Sequence, residues 1–121
     1  MKAVFDTNIL IDYLNGSHKA KHEIESFEEV YISLVTWMEI LVGAAAGDEE
    51  SKIREFLRRF RVQPIDEDIA DRAVVIRRRD NIRLPDAIIW ATAQQLGFLL
   101  VTRNTRDFPS RDPGIRVPYR A

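Results

Sequence analysis

The chain has 121 residues, of which 45% are hydrophobic and 31% charged, and it contains no cysteine. These values are typical of one globular domain and exclude disulfide scaffolds, thiolate zinc sites and cysteine nucleophiles. No apolar run approaches 18 residues and no secretory leader pattern occurs, so we expect a cytoplasmic protein without a membrane segment.

The formal net charge of -1 conceals an asymmetry between the two halves of the chain. Residues 1–50 carry 3 basic against 10 acidic side chains, whereas residues 51–121 carry 15 against 9. This division fits an acidic site beside a basic surface for a polyanion, and it equally fits ordinary solvated helix faces. Charge alone leaves both interpretations open.

Short apolar runs alternate with longer amphipathic segments along the chain. The runs that predict strands are 2–5, 30–33, 62–65, 98–101 and 115–117. The segments that predict helices are 9–14, 18–27, 34–46, 48–60, 67–80 and 85–96. This order predicts an α/β fold with a parallel sheet between helices, and Pro64 places the third strand at a sheet edge.

Acidic side chains occur where this fold would form a crevice, beyond the carboxyl ends of the strands. Asp6 directly follows the first strand, and the polar segment 102–107 follows the fourth. Asp86 lies in the first turn of a predicted helix, where backbone amides favour a carboxylate. Ordinary helix or turn capping would also explain Asp6, Asp86 and Asp107.

Glu39 lies in an almost wholly apolar helical segment, LVTWMEILVGA, and we expect it to be buried. A buried carboxylate without a partner costs several kcal/mol or binds a proton. A cluster of such acids would suit Mg²⁺ or Mn²⁺, which prefer oxygen ligands and which promote phosphate-ester hydrolysis.

Four segments together resemble the motif blocks of PIN-domain ribonucleases, and in particular those of VapC-type toxins. They are DTNILIDYL at 6–14, SLVTWMEILVGA at 33–44, LPDAIIWATA at 84–93 and LLVTRNTRDF at 99–108. The resemblance implies one PIN domain over residues 1–121, a three-layer α/β/α sandwich with a central, mostly parallel sheet. It also implies an Mg²⁺- or Mn²⁺-dependent endoribonuclease that acts as a homodimeric toxin on RNA. The implied partner is a VapB-type antitoxin, which can join the toxin in a hetero-oligomer on operator DNA.

Matched to the PIN pattern, Asp6, Glu39 and Asp86 are the first three catalytic, metal-binding acids. The fourth position is ambiguous, because this chain has Asn104 where many family members have an acid. Asp107, three residues later, is the predicted fourth ligand, and Asn104 is the alternative.

Other polar residues near these acids have supporting roles in the same comparison. Thr7, Asn8, Thr102 and Asn104 are expected to orient the carboxylates, solvent or substrate. Arg103 and Arg106 flank the site and are predicted either to bind RNA phosphate or to form structural ion pairs.

Two further functions compete with the ribonuclease prediction. A PIN-fold binding module without turnover is suggested by Asn104 at an acidic position. A metal-dependent phosphohydrolase is suggested by an aspartate directly after the first strand, although aspartyl-phosphate enzymes need a second acid where this chain has Asn8. Metal-dependent cleavage of single-stranded RNA would separate the three.

Overall fold

The computed structural model describes residues 1–120, and the predicted domain boundary at residue 121 lies outside them. The strands are β1 Lys2–Phe5, β2 Glu29–Ser33, β3 Arg61–Gln63, β4 Leu99–Val101 and β5 Ile115–Arg116. The helices are α1 Thr7–Leu14, α2 His18–Glu25, α3 Leu34–Val42, α4 Asp48–Leu57, α5 Glu67–Asp80 and α6 Leu84–Leu96.

The five strands form a parallel sheet in the order β3-β2-β1-β4-β5. Strand β1 therefore lies at the centre, with Val4 opposite Tyr31 of β2 and Leu100 of β4. The prediction of an α/β fold with a parallel central sheet is confirmed, and β3 is at an edge as Pro64 indicated.

Helices cover both faces of the sheet. Because successive side chains of a strand point to opposite faces, those of β1 contribute to two separate cores. Val4 joins a cluster with residues of α5 and α6, including Ile76 and Ile89. Ala3 and Phe5 join a second cluster with residues of α1, α2 and α4. These three side chains are fully buried, as expected for a central parallel strand, and only Lys2 at the start of β1 is exposed. None of the helices in residues 1–120 is long and apolar enough to cross a membrane.

Most element boundaries differ from the predicted ones by a few residues. Helix α3 was predicted to reach residue 46, but it ends at Val42, where the Gly43 backbone N–H bonds to the Glu39 carbonyl. Helix α4 ends at Leu57 rather than at residue 60. Apolar alanines at 44–46 continue a helical pattern without specifying where the helix stops.

Candidate active site

The carboxyl edge of the sheet holds the first acid, Asp6, in a tightly bonded position. Its backbone N–H donates to the Val101 carbonyl of β4 at 2.9 Å, so the residue is fixed between two strand ends. One carboxylate oxygen, Oδ1, accepts the Thr7 amide at 2.8 Å and caps α1. The other, Oδ2, accepts the Thr102 hydroxyl at 2.7 Å and the Asn8 side-chain amide at 3.1 Å. Thr7, Asn8 and Thr102 therefore all donate to the Asp6 carboxylate, and their roles in orienting solvent or substrate stay predictions.

Asp6 is only 4% exposed and has no basic partner among residues 1–120. Burial raises the pKa of this carboxyl from 3.8 to about 6. The hydrogen bond from Thr102 opposes that rise in pKa, while the negative charges of Asp86 and Glu39 add to it. The side chain therefore caps a helix and carries a charge that no ion pair in residues 1–120 neutralises, while the Arg103 charge acts on it from beyond ion-pair distance.

Glu39 is exposed, so the prediction that it is buried was wrong. Helix α3 buries Val35, Thr36 and Ile40 and turns Met38, Glu39 and Val42 outward. Because almost every residue of α3 is apolar, its sequence does not reveal which face is covered. The Glu39 carboxylate nevertheless reaches the site, where Oε1 accepts the Thr7 hydroxyl at 2.7 Å. That hydroxyl oxygen also lies 2.9 Å from the buried Thr36 hydroxyl.

Asp86, in the first turn of α6, is 6% exposed. Burial raises its pKa, the Arg83 guanidinium lowers it, and the charges of Asp107 and Glu39 raise it further. Arg83 donates to Asp86 Oδ2 from Nε at 3.1 Å and lies 3.0 Å away at Nη2. The four sequence blocks assign no role to Arg83, although an Arg three residues before an Asp at a helix start is a recognisable signal.

Asp107 is half-buried on the loop after β4, and Asn104 holds it in place. The Asn104 side-chain amide donates to Asp107 Oδ2 at 2.9 Å, and Asn104 Oδ1 accepts the Asp107 backbone N–H at 3.2 Å. The next residue, Phe108, is fully buried edge-to-face against Trp90. Since the Asp107 charge raises the pKa of Asp86, the loop returns towards the other acids.

Arg103 forms an ion pair with Asp12. Of the two predicted roles for Arg103, RNA phosphate binding or a structural ion pair, this contact corresponds to the second. Arg103 Nη2 donates to Asp12 Oδ1 at 3.1 Å, and the Tyr119 hydroxyl donates to Asp12 Oδ2 at 2.8 Å. The Asp12 side chain is 18% exposed. Arg106 is exposed, and its backbone N–H donates to Asn104 Oδ1. Contact between Arg106 and RNA stays a prediction.

The four acids share one region of negative charge but do not form a closed cage. Within residues 1–120, no three carboxylate or imidazole side chains are arranged to enclose one ion. Mg²⁺ commonly uses one or two carboxylates, retains several waters and completes its shell with substrate phosphate. An open set of oxygen donors, with a buried Asp6 carboxylate that forms no ion pair in residues 1–120, fits that mode of binding.

A model of the family described as "PIN domain" matches residues 3–112. The chain belongs to the PIN-domain family. This match includes the four acids Asp6, Glu39, Asp86 and Asp107. The resemblance noted from the four sequence blocks is therefore confirmed.

Proteins similar to this PIN domain include a named ribonuclease and chains of toxin–antitoxin complexes. Ribonuclease VapC10 of Mycobacterium tuberculosis is 35% identical over 112 residues, which cover 86% of this chain and 84% of the relative. A toxin–antitoxin complex from Klebsiella pneumoniae contains a chain of 46% identity that superposes with a TM-score of 0.92, with 98% and 99% of the two chains covered. A DNA-bound VapBC complex from Salmonella typhimurium contains a chain of 26% identity and TM-score 0.77, with 96% of each chain covered.

Proposed function

We propose that this chain is the VapC-type ribonuclease toxin of a toxin–antitoxin pair and that it hydrolyses RNA phosphodiesters with Mg²⁺ or Mn²⁺. The observation that carries the metal dependence is Asp6, a 4% exposed carboxylate at the carboxyl edge of the sheet with a pKa near 6. Such a charge is expensive without a counter-ion, and a divalent cation supplies one.

As their positions in the PIN pattern imply, Asp6, Glu39, Asp86 and Asp107 would hold the metal, with one or two of them as direct ligands and the others acting through bound water. When bound, the ion lowers the pKa of water and neutralises charge that develops on the phosphate. Thr102 and Asn8 aim the Asp6 oxygens, since both donate to Oδ2. Asn104 orients Asp107 and supplies no charge of its own.

A cognate VapB-type antitoxin is the proposed partner, with assembly as a homodimeric toxin bound to antitoxin and operator DNA. A groove of about 350 Å³ between α1, α3 and α4 supports an antitoxin contact beside the site. Its lining includes Ile11 and Leu14, which are 42% and 38% exposed, and also Glu39. A segment lying in this groove would have an apolar face and would bring a basic side chain within reach of the acids.

The decisive experiment compares cleavage of single-stranded RNA by the wild type and by Asp86→Asn, each with Mg²⁺, Mn²⁺ or EDTA. We expect the variant to lose cleavage by about a hundredfold or more while remaining folded, because the amide keeps the size and removes the ligand charge. Asp68→Asn is a matched control, since Asp68 is an exposed aspartate in the first turn of α5. Full activity in Asp86→Asn, or in EDTA, would contradict the metal site.

The RNA cleavage assay, together with measurements of antitoxin binding and phosphate release, distinguishes the two competing functions. A binding module without turnover would bind antitoxin but leave RNA intact with either metal. A phosphohydrolase would release phosphate from a small monoester and spare RNA.

A further inference from the structure

The basic side chain that compensates the acidic site comes from this chain itself. Within residues 1–120, one ion pair involves a member of the acidic site, and it joins Arg83 to Asp86. Both Arg83 Nε and Nη2 contact the same oxygen, Asp86 Oδ2, at 3.1 and 3.0 Å. The negative charges of Asp107 and Glu39 also act on Arg83 and raise the pKa of its guanidinium.

The two members of this pair differ sharply in exposure. The Asp86 side chain is 8% exposed, whereas that of Arg83 is 74% exposed. Arg83 is at the start of α6 and makes no side-chain cap with the helix. Its guanidinium can therefore leave Asp86 without opening the core, since a long, exposed side chain is held only weakly by a surface ion pair.

A divalent ion at this site would compete with Arg83. If the ion binds Asp86 Oδ2, a guanidinium on the same oxygen would be repelled by it over a few ångströms. A displaced Arg83 would remain at the start of α6 beside Asp86, from which it could contact the phosphate of an RNA bound at the site. Arginine binds phosphate through two parallel N–H donors, which suits it to this second position.

We propose that Arg83 is an internal counter-ion, which occupies Asp86 Oδ2 in the metal-free protein and moves to the RNA phosphate when metal takes that oxygen. The inference rests on the proposed metal-dependent cleavage of RNA. Arg83 then has opposite effects on the two ligands: it weakens metal binding and strengthens RNA binding.

The test measures Mn²⁺ binding without RNA, by the free-ion electron paramagnetic resonance signal and by calorimetry. Wild type is compared with Arg83→Gln, Arg83→Lys and the control Arg78→Gln, which removes an equal charge from an exposed position on α5. We expect the Kd for Mn²⁺ to fall about fivefold in Arg83→Gln, the scale of a partly exposed ion pair. Arg83→Lys should lie between that variant and wild type, and the control should stay within about twofold.

RNA binding should change in the opposite direction. At saturating Mn²⁺ we expect the KM for RNA to rise about tenfold in Arg83→Gln, because a charged phosphate contact is lost. Unchanged or weaker Mn²⁺ binding in Arg83→Gln would overturn the counter-ion role, and an unchanged KM would overturn the movement to phosphate. The proposed function fails separately, if the wild type itself neither binds Mn²⁺ nor cleaves RNA.

Discussion

Replacing Asp6 by Asn should stabilise the metal-free protein at neutral pH. In the folded chain the pKa of Asp6 is about 6, against an ordinary value of 3.8. At pH 7.5 the carboxyl is ionised in both the folded and the unfolded state, and the folded state therefore bears a penalty of about 3 kcal/mol. The penalty is not screened by solvent, because Asp6 is 4% exposed.

The substitution also has a cost. The Asn amide nitrogen would face either the Thr7 N–H or the Asn8 and Thr102 donors, and the lost acceptor costs about 1–2 kcal/mol. The expected net change in the free energy of unfolding at pH 7.5 is thus a gain of about 1–2 kcal/mol. A loss of stability at this pH would refute the view that Asp6 is destabilising without metal.

The pH dependence identifies the cause. As the pH falls through 6, the folded wild type binds a proton at Asp6 before the unfolded chain does, so the wild type loses its penalty and becomes more stable relative to the variant. Between pH 7.5 and 4.5 the advantage of Asp6→Asn should shrink by about 2 kcal/mol. Urea unfolding in EDTA at the two pH values measures this, with the exposed Asp71→Asn as control. An equal difference between Asp6→Asn and wild type at both pH values would refute the raised pKa.

Adding metal should reverse the ranking. A ligand that binds only the folded state stabilises it by RT ln(1 + [L]/Kd), which is about 2.7 kcal/mol at a hundred times Kd and exceeds the expected advantage of Asp6→Asn. Mg²⁺ should therefore raise the midpoint of urea unfolding for the wild type and leave that of Asp6→Asn in place.

Three further outcomes follow from the loop after β4 and from the surface around the site. Asp107→Asn should reduce metal-dependent cleavage more than Asn104→Ala does, because Asp107 carries charge while Asn104 orients it; a larger loss in Asn104→Ala would move the fourth ligand to that residue. A double-mutant cycle with Asp12→Ala and Arg103→Ala should give a coupling free energy of about 1 kcal/mol in urea unfolding, because the ion pair is half-buried. If the two substitutions change the free energy of unfolding additively, the pair does not stabilise the fold. Leu14→Asp should weaken binding of the cognate antitoxin at least tenfold and leave RNA cleavage near wild type, and undiminished antitoxin binding would exclude this groove as the contact.

Local patterns in the sequence determined the order of the strands and helices and the positions of most of the acids within them. Strand β1 is a short buried run ended by Asp6, and the parallel arrangement implies that the ends of β1 and β4 meet. Helix α6 begins at Leu84, with Pro85 in its first turn. That proline in the sequence indicated a helix start and so placed Asp86 in the first turn. These features depend on neighbours a few residues apart and on the general geometry of parallel sheets, so they can be derived from one sequence.

The tertiary structure alone decided how each acid is partnered and how deeply it is buried. Glu39 is exposed because neighbouring elements cover only one face of an apolar helix. The hydrogen bond from Thr102 to Asp6 joins residues 96 positions apart, and that from Tyr119 to Asp12 joins residues 107 apart. Such contacts depend on how the helices pack on the sheet, and no local periodicity records them. The charge balance of the site, from the buried Asp6 carboxylate to the Arg83 pair, is consequently a property of the folded chain.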